Sequence, residues 1–270
     1  MSEGPLAIPP ETLPAIPIGD EQRDAYTGAL RALQGAGIET LVGGGFAMHQ
    51  YLRRWRSTKD LDVFIRRRDV DAALAALAAA GFRVELTDPA WLAKAFAGGI
   101  LVDLIFSSYN RLFPVDDGWF ENRRPADVLG VPVALVGPEE MIVSKAFVAA
   151  RDRFDGSDIS WLIRTLGPTL DWDRIEALMA AHWEVLLWQL IHFRYVFPEE
   201  RDHVPRALVA RLLSRTFDDL AAAEHKRGAG ITCRGPMFDA IHYLAAALEK
   251  EHHDELAEGA AIFLQPGEPH

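Results

Sequence analysis

The stretch Asp60-Leu61-Asp62-Val63-Phe64-Ile65 decides the reading of this chain. It opens by alternating polar and apolar residues and turns β-branched and aromatic, the pattern of a strand. Residues two apart on a strand share a face, so Asp60 and Asp62 project together, with Cα atoms roughly 7 Å apart. Two adjacent carboxylates repel unless something compensates. A hard divalent cation with oxygen ligands, such as Mg²⁺, is the usual compensator.

Upstream, a helix pattern from Asp20 to Gln34 stops at Gly35 and Gly37, and Ile38 to Val42 reads as a strand. It runs into Gly43-Gly44-Gly45 and a helix from Phe46 to Arg53. Glycines at a strand-to-helix turn let backbone N–H groups approach a phosphate, and the following helix offers its positive end to the same anion. Downstream, Val70 to Ala80 is an alanine-rich helix closed by Gly81. Phe82 to Leu86, Ile100 to Phe106 and Val131 to Val136 are further strands. The second of these holds Asp103 alone among apolar residues, a costly place for an isolated carboxylate. If that strand lies beside the first, Asp103 joins the acidic pair, and three carboxylates suit a two-metal site.

From Pro138 the pattern changes. Pro138-Glu139-Glu140 opens a helix, with proline and acids where the first turn favours them. Further helices are expected over Asp158 to Thr165, Asp173 to Phe197 and Pro205 to Ala223. The fold class is α/β (α+β). A mixed-sheet domain over residues 20–137 follows an irregular arm, residues 1–19, and precedes a helical C-terminal domain, residues 138–260.

The series Gly44-Gly45, Arg56-x-Thr58-x-Asp60-Leu61-Asp62 and Val102-Asp103-Leu104 resembles the nucleotidyltransferase superfamily of polymerase-beta-like fold. It is most similar to its bacterial small-molecule and toxin–antitoxin-associated branches. Fourteen residues separate Gly45 from Asp60, slightly more than in the most compact members. The resemblance covers about the first 150 residues. It implies that Asp60 and Asp62 are metal ligands, that Asp103 is the third acid, and that Gly44 and Gly45 face a triphosphate. The implied cofactors are Mg²⁺, two ions, with an NTP such as ATP as co-substrate. Arg56 and Lys59, beside Thr58, could neutralise triphosphate charge or be solvated loop residues. A lysine on the helix after Pro138 reaches the triphosphate in related proteins, which singles out Lys145; a surface lysine is the alternative. Asp155 and Asp158, around Gly156, read as helix-capping acids. The helical half is expected to close over the nucleotide and select the acceptor.

The net charge of −11 argues against a polynucleotide as the main substrate, although Arg53, Arg54, Arg56 and Lys59 form one basic patch and Arg66, Arg67 and Arg68 another. It suits a cationic small acceptor, such as an aminoglycoside-like antibiotic. A toxin–antitoxin component modifying tRNA or a protein, and a nucleotide-binding module without catalysis, stay open beside the small-molecule enzyme. One cysteine, Cys233, permits no intrachain disulfide, and no leader or membrane-spanning run is visible, so a cytoplasmic enzyme is expected. No histidine pair has a zinc-like spacing with cysteine. His182 and His192 lie in an aromatic helical stretch that reads as core. The segment Cys233-Arg234-Gly235-Pro236-Met237 reads as an irregular loop.

Overall fold

A computed structural model of the chain describes residues 13–150, 153–223 and 234. The chain divides into two compact units, Met1–Met141 and Ile142–His270. Of the sequence features above, most of the N-terminal arm, Cys233 with Gly235 to Met237, and the histidines from His225 onward lie outside the described residues.

The first unit begins with α1 (Asp20–Gly35), which buries Tyr26, Leu30 and Leu33 at helical spacing. Its end is set by Gly37 at φ +72°, with Gly37 N–H bonded to Gln34 O (2.9 Å) and Ile38 N–H to Leu33 O (3.1 Å). This paired closure needs a left-handed residue, which glycine supplies at no steric cost. The same device, with Gly81 at φ +92°, ends α3 (Val70–Ala79).

Between them lie β1 (Leu41–Val42), α2 (Gly44–Leu52) and β2 (Asp60–Phe64). After α3 come β3 (Arg83–Asp88), β4 (Leu92–Ala97), β5 (Ile100–Ile105), α4 (Asp117–Glu121), β6 (Arg124–Val128) and β7 (Val131–Leu135). The strands form one sheet in the order β3-β4-β5-β2-β1-β7-β6. The pairs β2–β5 and β1–β7 are parallel and the others antiparallel. Register places Asp62 opposite Asp103, so the strand of the third acid does lie beside that of the first two.

Alternation divides the sheet. Leu61, Val63, Ala93, Ala95, Val102 and Leu104 are fully buried on one face. Helices α1 and α3 pack on this part of the sheet. Each such buried leucine or valine contributes about 1.5–3 kcal/mol. The other face of β2, β5 and β4 is half-buried and carries Asp60, Asp62, Asp103 and Lys94.

Three elements escaped the sequence. Strand β4, Leu92-Ala-Lys-Ala-Phe-Ala, is poor in β-branched residues and exists because β3 and β5 pair with it from both sides. Strand β6 carries Pro125 and survives at a rim. The short α4 is started by Asp116, whose side chain accepts from Trp119 N–H.

Helix α5 (Pro138–Ala146) runs across the unit boundary. The second unit then has α6 (Gly156–Leu166), α7 (Trp172–Met179), α8 (Trp183–Val196) and α9 (Arg206–Ala223). The single helix expected over Asp173 to Phe197 is in fact two. Ala180 takes φ +39°, ψ −107° and breaks the run, with no glycine or proline there to signal it. No helix among the described residues is long and apolar enough to cross a membrane.

Candidate active site

Asp60, Asp62 and Asp103 come together on the half-buried sheet face. Each offers a carboxylate oxygen, and these oxygens all lie within 4.8 Å of one another. Two aspartates alternate on one strand and the third is supplied in register by the parallel neighbour. Asp103 Oδ1 is shut off from solvent.

The glycine turn sits against this cluster for a steric reason. Gly44 has φ +49°, and a Cβ built there would land on Asp62 Oδ2. A Cβ at Gly45 would stand 2.9 Å from Thr58 Cβ, and one at Gly43 would enter the Phe64 ring. Gly43 N–H bonds to Asp62 O at 2.9 Å, so the turn is tied to β2 by backbone as well. The first intrahelical bond of α2 is Ala47 N–H to Gly43 O (3.0 Å), which leaves the N–H groups of Gly44, Gly45 and Phe46 without intrahelical acceptors.

Thr58 connects the two halves of the site. Its hydroxyl donates to Asp60 Oδ1 at 2.8 Å while its methyl and hydroxyl groups pack on Gly45. The loop that carries it is anchored by Trp55, edge-on to both Phe46 (5.4 Å) and His49 (5.6 Å). His49 is buried, and burial pushes its imidazole pKa down. Tyr26 of α1 is fully buried and hydrogen-bonded by Gln22 (2.9 Å). Burial raises its phenol pKa, and the charges of Asp60 and Asp62 push the same way. Arg56 and Lys59 are exposed on the loop before β2.

The basic run at Arg66 is not a free patch. Arg66 is buried, bonded to Glu39 (2.8 Å) and Asp117 (2.5 Å) and seated 3.6 Å over the Phe120 ring. In the second unit Lys145 occupies a buried ion triad, 2.7 Å from Asp155 Oδ2 and 2.9 Å from Asp158 Oδ2. The capping role read for Asp155 is corrected here. Asp155 stands at the N-cap of α6 but makes no side-chain capping bond, because Lys145 and Arg153 take its oxygens. His182 packs edge-on to Phe147 (5.3 Å), and His192 sits 3.1 Å from Ser160 Oγ.

The three carboxylates suit a divalent cation. They are hard oxygen donors, the class that Mg²⁺ requires, and no cysteine or histidine joins their cluster among the described residues. Oxygens opposite one another around a single Mg²⁺ are about 4.2 Å apart. Carboxylate oxygens this close together are compatible with a shared divalent cation.

None of the curated proteins matches the sequence. Among solved structures, the antibiotic-resistance factor ANT(2'')-Ia in solution matches at 20% identity with a TM-score of 0.47, covering 66% of this chain and 100% of that one. The lincosamide antibiotic adenylyltransferase LnuA with lincomycin bound matches at 11% identity and a TM-score of 0.39, over 54% of this chain and 96% of that one. A family model described as "Uncharacterised nucleotidyltransferase" matches residues 20–196, the greater part of the chain. With that match added to the acidic triad and its glycine turn, the chain belongs to this nucleotidyltransferase family and is a transferase of phosphorus-containing groups.

Proposed function

We propose that the first unit moves a nucleoside monophosphate from an NTP–Mg²⁺ complex to a hydroxyl or amine of a small molecule or protein. The observation that carries this reading is the convergence of Asp60, Asp62 and Asp103 beside Gly44, at the start of α2. An acceptor oxygen or nitrogen gives up its proton and bonds to the α-phosphorus, the bond from that phosphorus to the α,β-bridging oxygen breaks, and pyrophosphate leaves. Bound to the three carboxylates, divalent cations would neutralise phosphate charge and lower the pKa of the attacking group.

The residues have separable tasks. The N–H groups of Gly44, Gly45 and Phe46 point toward the helix start, where an anionic phosphate is favoured by hydrogen bonding and by the helix dipole. Thr58 holds Asp60 in one orientation through its hydroxyl. Asp62 and Asp103, opposite each other on adjacent strands, supply the remaining oxygens. Arg56 and Lys59 lie close in sequence to Asp60 and add positive charge for the triphosphate. Lys145 is left out of this set because its ammonium is bound by two buried carboxylates.

The test is to incubate the protein with α-labelled NTPs, Mg²⁺ and a panel of acceptors, and to follow label and pyrophosphate. Transfer should vanish on chelation and fall by about 100-fold or more in Asp62→Ala. Wild-type turnover in both Asp60→Ala and Asp62→Ala would end the assignment.

A further inference from the structure

Sheet register sets a fourth charged residue in the row of the acids. Asp62 on β2 faces Asp103 on β5, Asp103 faces Lys94 on β4, and Lys94 faces Glu85 on β3. Directly opposed residues share a face, with Cβ atoms about 4.5–5.5 Å apart. Lys94 therefore projects from the same side of the sheet as the acidic cluster. It is half-buried, and among the described residues its ammonium has no hydrogen bond or ion pair. Glu85, by contrast, is engaged by Arg83 (3.3 Å) and Thr87 (3.4 Å). Arg83 itself lies 3.9 Å over the ring of Phe96, the next residue after Lys94 on that face.

The position of Lys94 relative to the reaction follows from strand order, and rests on the nucleotidyl-transfer reading above. The glycine turn leaves from β1, on one side of β2, whereas β5 and β4 lie on the other. In phosphoryl transfer the entering and leaving groups are roughly in line across the phosphorus. With pyrophosphate held at Gly44 and Gly45, the acceptor enters from the β5–β4 side, past Asp103 and over Lys94.

We infer that Lys94 is a specificity-determining residue of the acceptor subsite, and that it selects an acceptor bearing an anionic group, carboxylate or phosphate, near the attacking hydroxyl. An unsatisfied ammonium on a half-buried face makes a stronger contact with an anion than it would in open water, and it repels a cation. The overall charge of −11 favours a cationic acceptor only at long range, while the local charge beyond Asp103 is positive.

The experiment compares hydroxyl compounds matched except for charge: hexoses, hexuronates and hexosamines. Each is titrated by calorimetry into the full chain with Mg²⁺, with and without α,β-methylene-ATP, so that no turnover is required. The wild type should bind hexuronates about tenfold more tightly than hexosamines, the worth of one charge-assisted hydrogen bond. Lys94→Gln should flatten the preference and Lys94→Glu should invert it. Affinity for α,β-methylene-ATP should change less than about threefold in both variants, since the triphosphate lies beyond Asp62. A wild type with no charge preference, or a preference that survives in Lys94→Glu, overturns the inference. Failure of the wild type to bind the Mg²⁺ nucleotide analogue is a different result, and it would count against nucleotidyl transfer itself.

Discussion

Gly44 illustrates how much of this site is decided atom by atom. Its left-handed backbone and the Asp62 carboxylate beside it both exclude a side chain. In Gly44→Ala the backbone strain costs about 1–2 kcal/mol, and the new methyl group must also displace an acid of the triad. Transfer should therefore fall far more than stability does. Steady-state rates beside thermal melts would check this, and a variant that melts lower yet retains full activity would contradict it. The glycines and the three aspartates were legible in the sequence because the rules that reveal them are local: strand alternation, and the freedom of glycine at a turn. The place of Lys94 beside Asp103 was not, because it comes from two cross-strand pairings, and Leu92 to Ala97 carries no strand signal of its own. The partnership of Thr58 with Asp60 was equally hidden, although the Thr-x-Asp spacing was in view.

The junction of α5 and α6 shows the same contrast one level up. Both helices were readable from Pro138 and from the apolar spacing after Gly156. The bonds between them were not, because nothing in sequence separates a lysine bound for solvent from one bound for two buried acids. Burial alone would raise the pKa of Asp155, but the charge of Lys145 and the hydrogen bonds from Arg153 and Lys145 outweigh it and hold the carboxyl below its usual range. Removing the cation takes a charged partner from each of two buried carboxylates, so Lys145→Met should destabilise the second unit by about 3–5 kcal/mol. Chemical denaturation followed by tryptophan fluorescence would register this, and an unchanged midpoint would refute it. The break at Ala180 went unseen for a related reason. Ala-Leu-Met-Ala-Ala-His offers no glycine or proline to punctuate the run, so local sequence rules carry the helix straight through Ala180.

Across the whole molecule, the buried His49 and the half-buried His182 and His192 should set the response to mild acid. Burial lowers the pKa of His49, His182 and His192, with Arg234 adding to the effect at His182. The unfolded chain then takes up protons near its ordinary histidine pKa of about 6.5, while the native chain resists them to lower pH. Stability is thus full above that value and declines as pH falls below it. Melting temperatures measured from pH 8 down to about 5.5 should drop through this window, and a flat profile would exclude the linkage.

The rims of the sheet carry a consequence for assembly. One rim, β3, is dotted with Arg83, Glu85 and Asp88 and has an irregular register between Glu85 and Asp88. The other, β6, lacks an amide hydrogen at Pro125 and displays Arg124 and Asp127. Charge, proline and broken periodicity are the features that make a border strand a poor template for another chain. Growth of the seven strands into a continuous ribbon through neighbouring copies is thereby blocked at both ends, and a crowded solution of this protein is guarded against fibre-like stacking along that axis.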